Sequence, residues 1–340
     1  MDPVPERCRE VRLVRHPEGM IQPSDLTIVD APLPVPGPDD LVVRNRWFRI
    51  SISTRLMADP TAQSVDGIPF PALKPGDALS DGAIGEVVAC PAGRGFSVGD
   101  LVMHPLGWRD RAVVEIGRSV RLGRGPIEPS AYLGHGWTAY AALTRGIRIR
   151  RGDTVFVSSG AGAIGAMAGQ IARRLGASRV IGSTGSEDKA AWMKADLGYD
   201  AVILRNRGTI ADQLAAAAPD GLDVFVDMVG GEQLAAATAN AREGARFVLL
   251  GALTAELNSR HASLIAPVEL DSFQLILKDI TLRGYSADRD HAEVFPEWLA
   301  WQRDAGLHIA CSNIAGLADA PRALHDACEG RLKGLVMVEL

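Results

Sequence analysis

The chain is poor in cysteine, with four in 340 residues: Cys8, Cys90, Cys311 and Cys328. No two lie at metal-ligand spacing and there is no C-x-x-C, which excludes a zinc-ribbon scaffold and a disulfide-stapled fold. Free thiols in a reducing cytoplasm are the expectation. No apolar run approaches the ~18 residues that span a bilayer. The first twelve residues carry charges throughout and lack the apolar core of a signal peptide. A basic stripe is also missing: the net charge is −5 and the arginines are scattered, which argues against nucleic acid as a partner. There is no Gly-x-Ser-x-Gly element and no persuasive Ser/His/Asp arrangement. Internal repeats and low-complexity tracts are absent too.

What remains is a chain of ordinary globular composition, 47% hydrophobic and 23% charged, long enough for two domains. The first ~120 residues read as β-rich. Short apolar runs at 41–47, 84–88, 100–103 and 112–116 are separated by clusters such as Pro34-Val35-Pro36-Gly37-Pro38 and Pro69-Phe70-Pro71. A small barrel or sandwich fits this punctuation. The pattern changes near Pro126. Strand candidates at 154–158, 179–183, 201–204, 223–229, 246–250 and 280–284 then alternate with helical segments, among them 164–175, 187–196 and 210–218. Such alternation predicts a doubly wound parallel sheet, and six strands is the Rossmann count. A helix at 295–305 and a last strand at 335–340 close the chain. The expected division is a β-rich domain from 1–125 and 306–340 around a Rossmann domain at 126–305.

The strand candidate Thr154-Val-Phe-Val-Ser158 runs into Ser159-Gly160-Ala161-Gly162-Ala163-Ile164-Gly165 and then an amphipathic helix. This is G-x-G-x-x-G in its proper context, between strand and helix. Gly160 is expected to make the tight turn, Gly162 to let the backbone approach a pyrophosphate, and Gly165 to let helix and strand pack closely. The alternative is an ordinary Gly-rich turn. The second strand ends Ile181-Gly-Ser183-Thr-Gly185-Ser186, with no acid at its tip to hold a ribose 2′-hydroxyl. Lys189, Arg205 and Arg207 follow instead. A 2′-phosphate is held by cations and hydroxyl donors and repelled by carboxylate, so the cofactor expected is NADPH. Glu187 and Asp188 are accounted for as the acidic first turn of a helix. For Lys189 the alternative is an exposed helix lysine.

With these residues in place, the sequence resembles the medium-chain dehydrogenase/reductase superfamily, and within it the zinc-independent prostaglandin reductase, leukotriene hydroxydehydrogenase and curcumin reductase branch. The resemblance runs in order along nearly the whole chain. It rests on Gly134-His-Gly-Trp-Thr-Ala-Tyr140, on Gly162-Ala-Ile-Gly165 through Gly169-Gln170-Ile171-Ala172, on Gly185-Ser-Glu-Asp-Lys189 and on Asp227-Met-Val-Gly-Gly231. Lys278-Asp-Ile-Thr-Leu-Arg-Gly-Tyr285 is similar to quinone and enoyl-thioester reductases of the same superfamily.

The resemblance implies a GroES-like catalytic domain beside the Rossmann domain. It implies hydride delivery from NADPH to an activated C=C bond, with a quinone reductase and a non-catalytic NADPH-binding protein as rivals. It assigns the cofactor to Gly160, Gly162, Ala163, Ile164, Gly165, Ser183, Gly185, Ser186, Lys189, Arg205, Val229, Gly251, Leu253 and Thr138. It also implies a homodimer joined at the edge strand around 280–285. The departures concern chemistry. The branch tyrosine of an early turn falls at Ser53, although Arg55 matches. A second tyrosine falls near Glu256 or Leu257, and the C-terminal Asn and Lys are replaced by Leu332 and Leu335. Tyr140, Ser53, Thr54 and backbone amides are left as candidates to hold a developing enolate. His135 is a candidate proton donor and equally a packed or solvent-facing ring. His104, beside Pro105, reads as structural. No zinc is expected, because Cys90, His104 and His135 do not make a ligand set.

Overall fold

The computed structural model describes residues 6–60 and 72–340; Met1 to Pro5 and the Pro69-Phe70-Pro71 separator lie outside the described residues. The chain divides into two compact units. The first comprises Met1–Leu133, Glu256–Ser263 and Cys311–Leu340, and the second Gly134–Ala255 and Leu264–Ala310. The junctions sit a few residues beyond those expected at 125 and 305. The larger difference is the stretch Glu256–Ser263, which belongs to the first unit although its neighbours on both sides belong to the second.

The first unit opens with an antiparallel pair, β1 (Arg7–Leu13) and β2 (Leu26–Pro32), that the sequence reading did not single out. Then come β3 (Asp40–Ile50), the short helix α1 (Ser53–Ala58), β4 (Ala83–Ala89), β5 (Leu101–His104), β6 (Arg111–Glu115), β7 (Val120–Gly123) and α2 (Pro129–Leu133). The second unit begins with α3 (Gly136–Ala141), which passes into a π-helical turn at Ala142–Gly146. Its alternating part is β8 (Thr154–Val157), α4 (Gly165–Leu175), β9 (Arg179–Thr184), α5 (Glu187–Asp196), β10 (Ala201–Leu204), α6 (Ile210–Ala217), β11 (Leu222–Asp227), α7 (Gly231–Ala239) and β12 (Ala241–Leu249). After α8 (Leu253–Glu256) and the excursion into the first unit come α9 (Ser272–Leu277), β13 (Thr281–Gly284) and α10 (His291–Ala305). The chain finishes in the first unit with β14 (Cys311–Ala315), α11 (Ala320–Cys328) and β15 (Leu335–Glu339).

In the first unit a seven-stranded sheet runs β14-β15-β3-β4-β5-β7, with β6 paired to β3. The length of β3 lets it partner β15, β4 and β6 along different stretches. One core gathers Val11, Leu13, Phe48, Trp108, Leu324 and Val338. Trp108 is wholly buried at a φ of 60°, with its ring centroid 5.4 Å from that of Phe48.

The second unit carries a six-stranded parallel sheet in the order β10-β9-β8-β11-β12-β13. The strand order reverses between β8 and β11, which makes their carboxyl ends the ligand-binding crevice of a doubly wound sheet. Every residue of β8 is buried, which explains why its sequence is a continuous apolar run rather than an alternating one. Phe156, Phe225 and Phe247 stand side by side in register on β8, β11 and β12. The first two are stacked at 4.8 Å and the second pair meets edge-on at 5.5 Å, so one apolar ladder fixes the alignment of the strands that deliver the loops. Local chemistry sets the helix ends. Ser186 and Thr209 cap α5 and α6 by accepting from the third backbone amide beyond them, and Gly176 ends α4 at a φ of 115°.

Candidate active site

The carboxyl ends of β8, β9, β11 and β12 bring together most of the residues assigned to a cofactor. The glycine loop lies between β8 and α4. Gly162 N–H donates to Ser159 O at 2.9 Å and Gly160 N–H to Ser183 O at 2.9 Å. A Cβ on Gly165 would stand 2.2 Å from Ser159 O, and one on Gly162 would stand 3.1 Å from Ser159 Oγ, so neither position tolerates a side chain without movement. Gly160 differs from the expectation. The left-handed residue of the turn is Ser159, at a φ of 50°, and Gly160 has no positive φ. Gly160 is small because a Cβ there would meet the Met193 methyl at 2.4 Å and the Tyr199 ring at 3.3 Å. The amides of Ala163 and Ile164 donate to no group among the described residues. They precede the first turn of α4, where N–H groups and the helix dipole favour an anion.

Buried polar bonds hold the neighbouring loops. Ser158 Oγ donates to Asp227 Oδ1 at 2.9 Å and accepts from Met228 N–H at 2.8 Å. Asp227 also accepts from the amides of Val229 and Gly230. Burial pushes the Asp227 carboxyl above its ordinary range, while these bonds pull it down. Ser183, expected to touch the cofactor, is fully buried. Its Oγ donates to Gln233 Oε1 at 2.5 Å and accepts from Ser159 N–H at 3.1 Å, so the hydroxyl is used within the scaffold. The loop after β12 is laced to the one after β11. Leu253 N–H donates to Met228 O at 3.0 Å and Thr254 Oγ1 to Val229 O at 2.9 Å. Gly251 is exposed, and its missing Cβ would stand 3.2 Å from Met228 O.

At the tip of β9 the cations differ from one another. Arg207 pairs with Glu187. Among the described residues no carboxylate pairs with Arg205, which is exposed and lies with one guanidinium nitrogen 3.1 Å from the Cβ position of Gly185. Lys189 is buried on α5 at 8% exposure, so the exposed-lysine alternative does not hold. Its N–H donates to Ser186 Oγ at 3.4 Å.

The expected chemical residues are divided between the two units. Thr138 and Tyr140 lie half-buried on α3, with His135 at the residue before it. The Tyr140 ring centroid stands 5.1 Å from Trp301 and 6.1 Å from Trp298 on α10. Burial and the nearby Glu297 carboxylate raise its phenol above the ordinary range. Ser53 opens α1 in the first unit, followed by buried Thr54. His104 is buried; its Nδ1 accepts from Leu106 N–H at 3.2 Å, and desolvation and Arg109 push its pKa down to about 3, so it stays neutral.

Sequence reasoning noted Arg55 without foreseeing its task. Arg55 is 1% exposed and donates to the carbonyls of Glu256, Asn258 and Gly19, the last at 3.1 Å. Asp59 Oδ2 accepts from Ala262 N–H at 2.9 Å. Together they bind the excursion Glu256–Ser263 into the first unit, where Leu257 packs on the core. The partners of Arg55 are backbone carbonyls, two of them 201 and 203 positions away, and carry no side-chain signature.

Two family descriptions match the chain: an N-terminal domain of oxidoreductases over residues 9–122 and a zinc-binding dehydrogenase over residues 163–302. A Bacillus subtilis protein named as an NADP-dependent oxidoreductase, YfmJ, is 30% identical across 98% of this chain and 97% of its own. The chain belongs to the medium-chain dehydrogenase/reductase superfamily, in its zinc-independent reductase branch. The tobacco (Nicotiana tabacum) NADP(+)-dependent 2-alkenal reductase is 28% identical to this reductase over 97% of this chain and 96% of its own. The crystal structure of Vibrio vulnificus CurA in complex with NADPH superposes with a TM-score of 0.84 at 27% identity, covering 97% of this reductase and 98% of CurA. Among the described residues no three His, Cys, Asp or Glu side chains could hold a metal ion. No helix among the described residues is long and apolar enough to cross a membrane.

Proposed function

We propose that this reductase uses NADPH to reduce the activated C=C bond of a small unsaturated carbonyl compound, without zinc. The observation that carries the cofactor choice is the end of β9, where an exposed Arg205, unpaired among the described residues, stands over Gly185 and no carboxylate occupies the tip. An acid there would bond a 2′-hydroxyl and repel a 2′-phosphate; a guanidinium does the reverse. The amides of Ala163 and Ile164 hold the diphosphate, and Gly162 leaves them room. Val229, Gly251 and Leu253 lie on the two laced loops after β11 and β12, next along the crevice. NADPH, when bound, supplies the hydride that goes to the electron-poor β-carbon.

The substrate class rests on likeness to the tobacco enzyme, whose name gives 2-alkenals as its substrates. Negative charge develops on the carbonyl oxygen, where hydrogen-bond donors stabilise it. In this reading backbone amides and the Ser53 and Thr54 hydroxyls serve as donors, and solvent supplies the proton. The functional unit is a homodimer. The outer edge of β13 has no strand partner among the described residues, and a second copy is the occupant proposed for it.

A panel of enals, enones and quinones assayed for NADPH oxidation, with product identification, tests the reading. Saturation of the enal or enone C=C bond is expected. Turnover of quinones alone would replace the substrate class, and NADPH binding with no turnover would replace the enzyme by a binding protein.

A further inference from the structure

Tyr199 lies in the loop between α5 and β10 and is 3% exposed. Its ring fills the underside of the glycine loop. A Cβ on Gly160, Gly169 or Gly182 would meet that ring at 3.3, 2.5 and 2.7 Å respectively. The Met193 methyl closes the same space, 2.4 Å from the Cβ position of Gly160 and 2.3 Å from that of Gly182. Three glycines on three elements, the loop after β8, helix α4 and strand β9, are thus small because of one pair of side chains. Packing alone asks only for a hydrocarbon ring. The phenol adds a hydroxyl, and a buried hydroxyl is costly unless it is bonded. Here the O–H donates to the Gly165 carbonyl at 2.7 Å. Gly165 opens α4 and directly follows Ala163 and Ile164.

We infer that Tyr199 is a positioning residue for the dinucleotide: through the Gly165 carbonyl its hydroxyl holds the first turn of α4, and with it the Ala163 and Ile164 amides, in the arrangement that receives the diphosphate. The inference rests on the reading of this loop as the NADPH site. At 3% exposure, bonded to the Gly165 carbonyl, Tyr199 acts through the backbone. Its removal therefore weakens cofactor binding and leaves the chemical step alone.

The test uses the full-length protein, with Tyr199→Phe deleting only the hydroxyl. Gly169→Ala keeps the phenol but displaces the ring through the 2.5 Å contact. Each is titrated with NADPH, melted without cofactor, and assayed for KM and kcat. Loss of one buried hydrogen bond corresponds to roughly a three- to tenfold rise in the NADPH Kd and KM. At saturating NADPH, kcat stays within about twofold, since an interaction equal in ground and transition states affects KM alone. Gly169→Ala is expected to shift Kd in the same direction even though alanine favours a helix. A lowered melting temperature with wild-type Kd in both variants would reduce Tyr199 to a packing residue and overturn the inference. A wild-type protein that does not bind NADPH would overturn the reading of the site itself, and the inference with it.

Discussion

Arg205 stands over Gly185 with its guanidinium unpaired among the described residues, whereas Arg207, two residues on, is bound to Glu187. Of two arginines in one short loop, one is committed within the protein and one is available to a ligand. Arg205→Ala is therefore expected to raise the NADPH Kd about tenfold or more, since a charge-assisted bond contributes ~1.5–3 kcal/mol. NADH binding should change little, and Arg207→Ala should leave the preference intact. Lys189→Ala is expected to weaken NADPH as well, with a lowered melting temperature because its side chain is buried. Calorimetric titration with both cofactors decides it: equal losses for NADPH and NADH would remove the 2′-phosphate assignment.

Asp100 is fully buried between Arg121 and Arg124, and its hydrogen bond from Arg121 is the main reason that its pKa falls from 3.8 to about 2. A folded-state pKa below the unfolded value gives stability that is complete above about pH 4 and lost as the pH falls toward 2. Asp100→Asn should lower stability by about 1–3 kcal/mol at neutral pH. The gap between variant and wild type should narrow below pH 4. Melting curves across that range check both; a gap that is constant with pH would show that the carboxylate charge does not matter.

Metal analysis of the purified protein should find no stoichiometric zinc, and a chelator should leave NADPH oxidation unchanged. The scattered cysteines and neutral His104 motivate this expectation. One tightly bound zinc per chain would contradict it.

On α9, immediately before the open edge strand β13, Phe273, Ile276 and Leu277 are 64%, 74% and 58% exposed. Apolar side chains beside unpaired strand groups suit a second copy related by a twofold axis. Light scattering at micromolar concentration should give a dimer mass, and Phe273→Asp with Ile276→Glu should give a folded monomer. A monomeric wild-type chain would exclude the dimer.

Tyr140→Phe and His135→Ala are expected to keep kcat/KM within about threefold of wild type, whereas loss of an essential general acid costs 10²–10⁴-fold. Glu256→Gln should behave alike. A loss of the larger size in any one of them, with folding and NADPH affinity preserved, would identify the proton donor.

The sequence determined the α/β alternation of the second unit, the glycine loop and the missing acid at the tip of β9. Each is local: strand burial writes an apolar run such as Thr154–Val157, and a close backbone approach admits only glycine. Even there the reason for one glycine was out of reach. Gly160 reads as a turn residue, yet Ser159 takes the left-handed conformation, and Gly160 makes room for Met193 and Tyr199, more than thirty positions away. The tertiary structure alone decided which arginine is unpaired, that the Ser183 hydroxyl is consumed by Gln233 and Ser159, and that Glu256–Ser263 leaves one unit for the other under the hold of Arg55 and Asp59. The contacts of Arg55, Asp59 and the Ser159 amide are made to or by backbone groups far along the chain. Every residue presents the same backbone groups, so no pattern of side chains announces such partners, and only the folded chain brings them together.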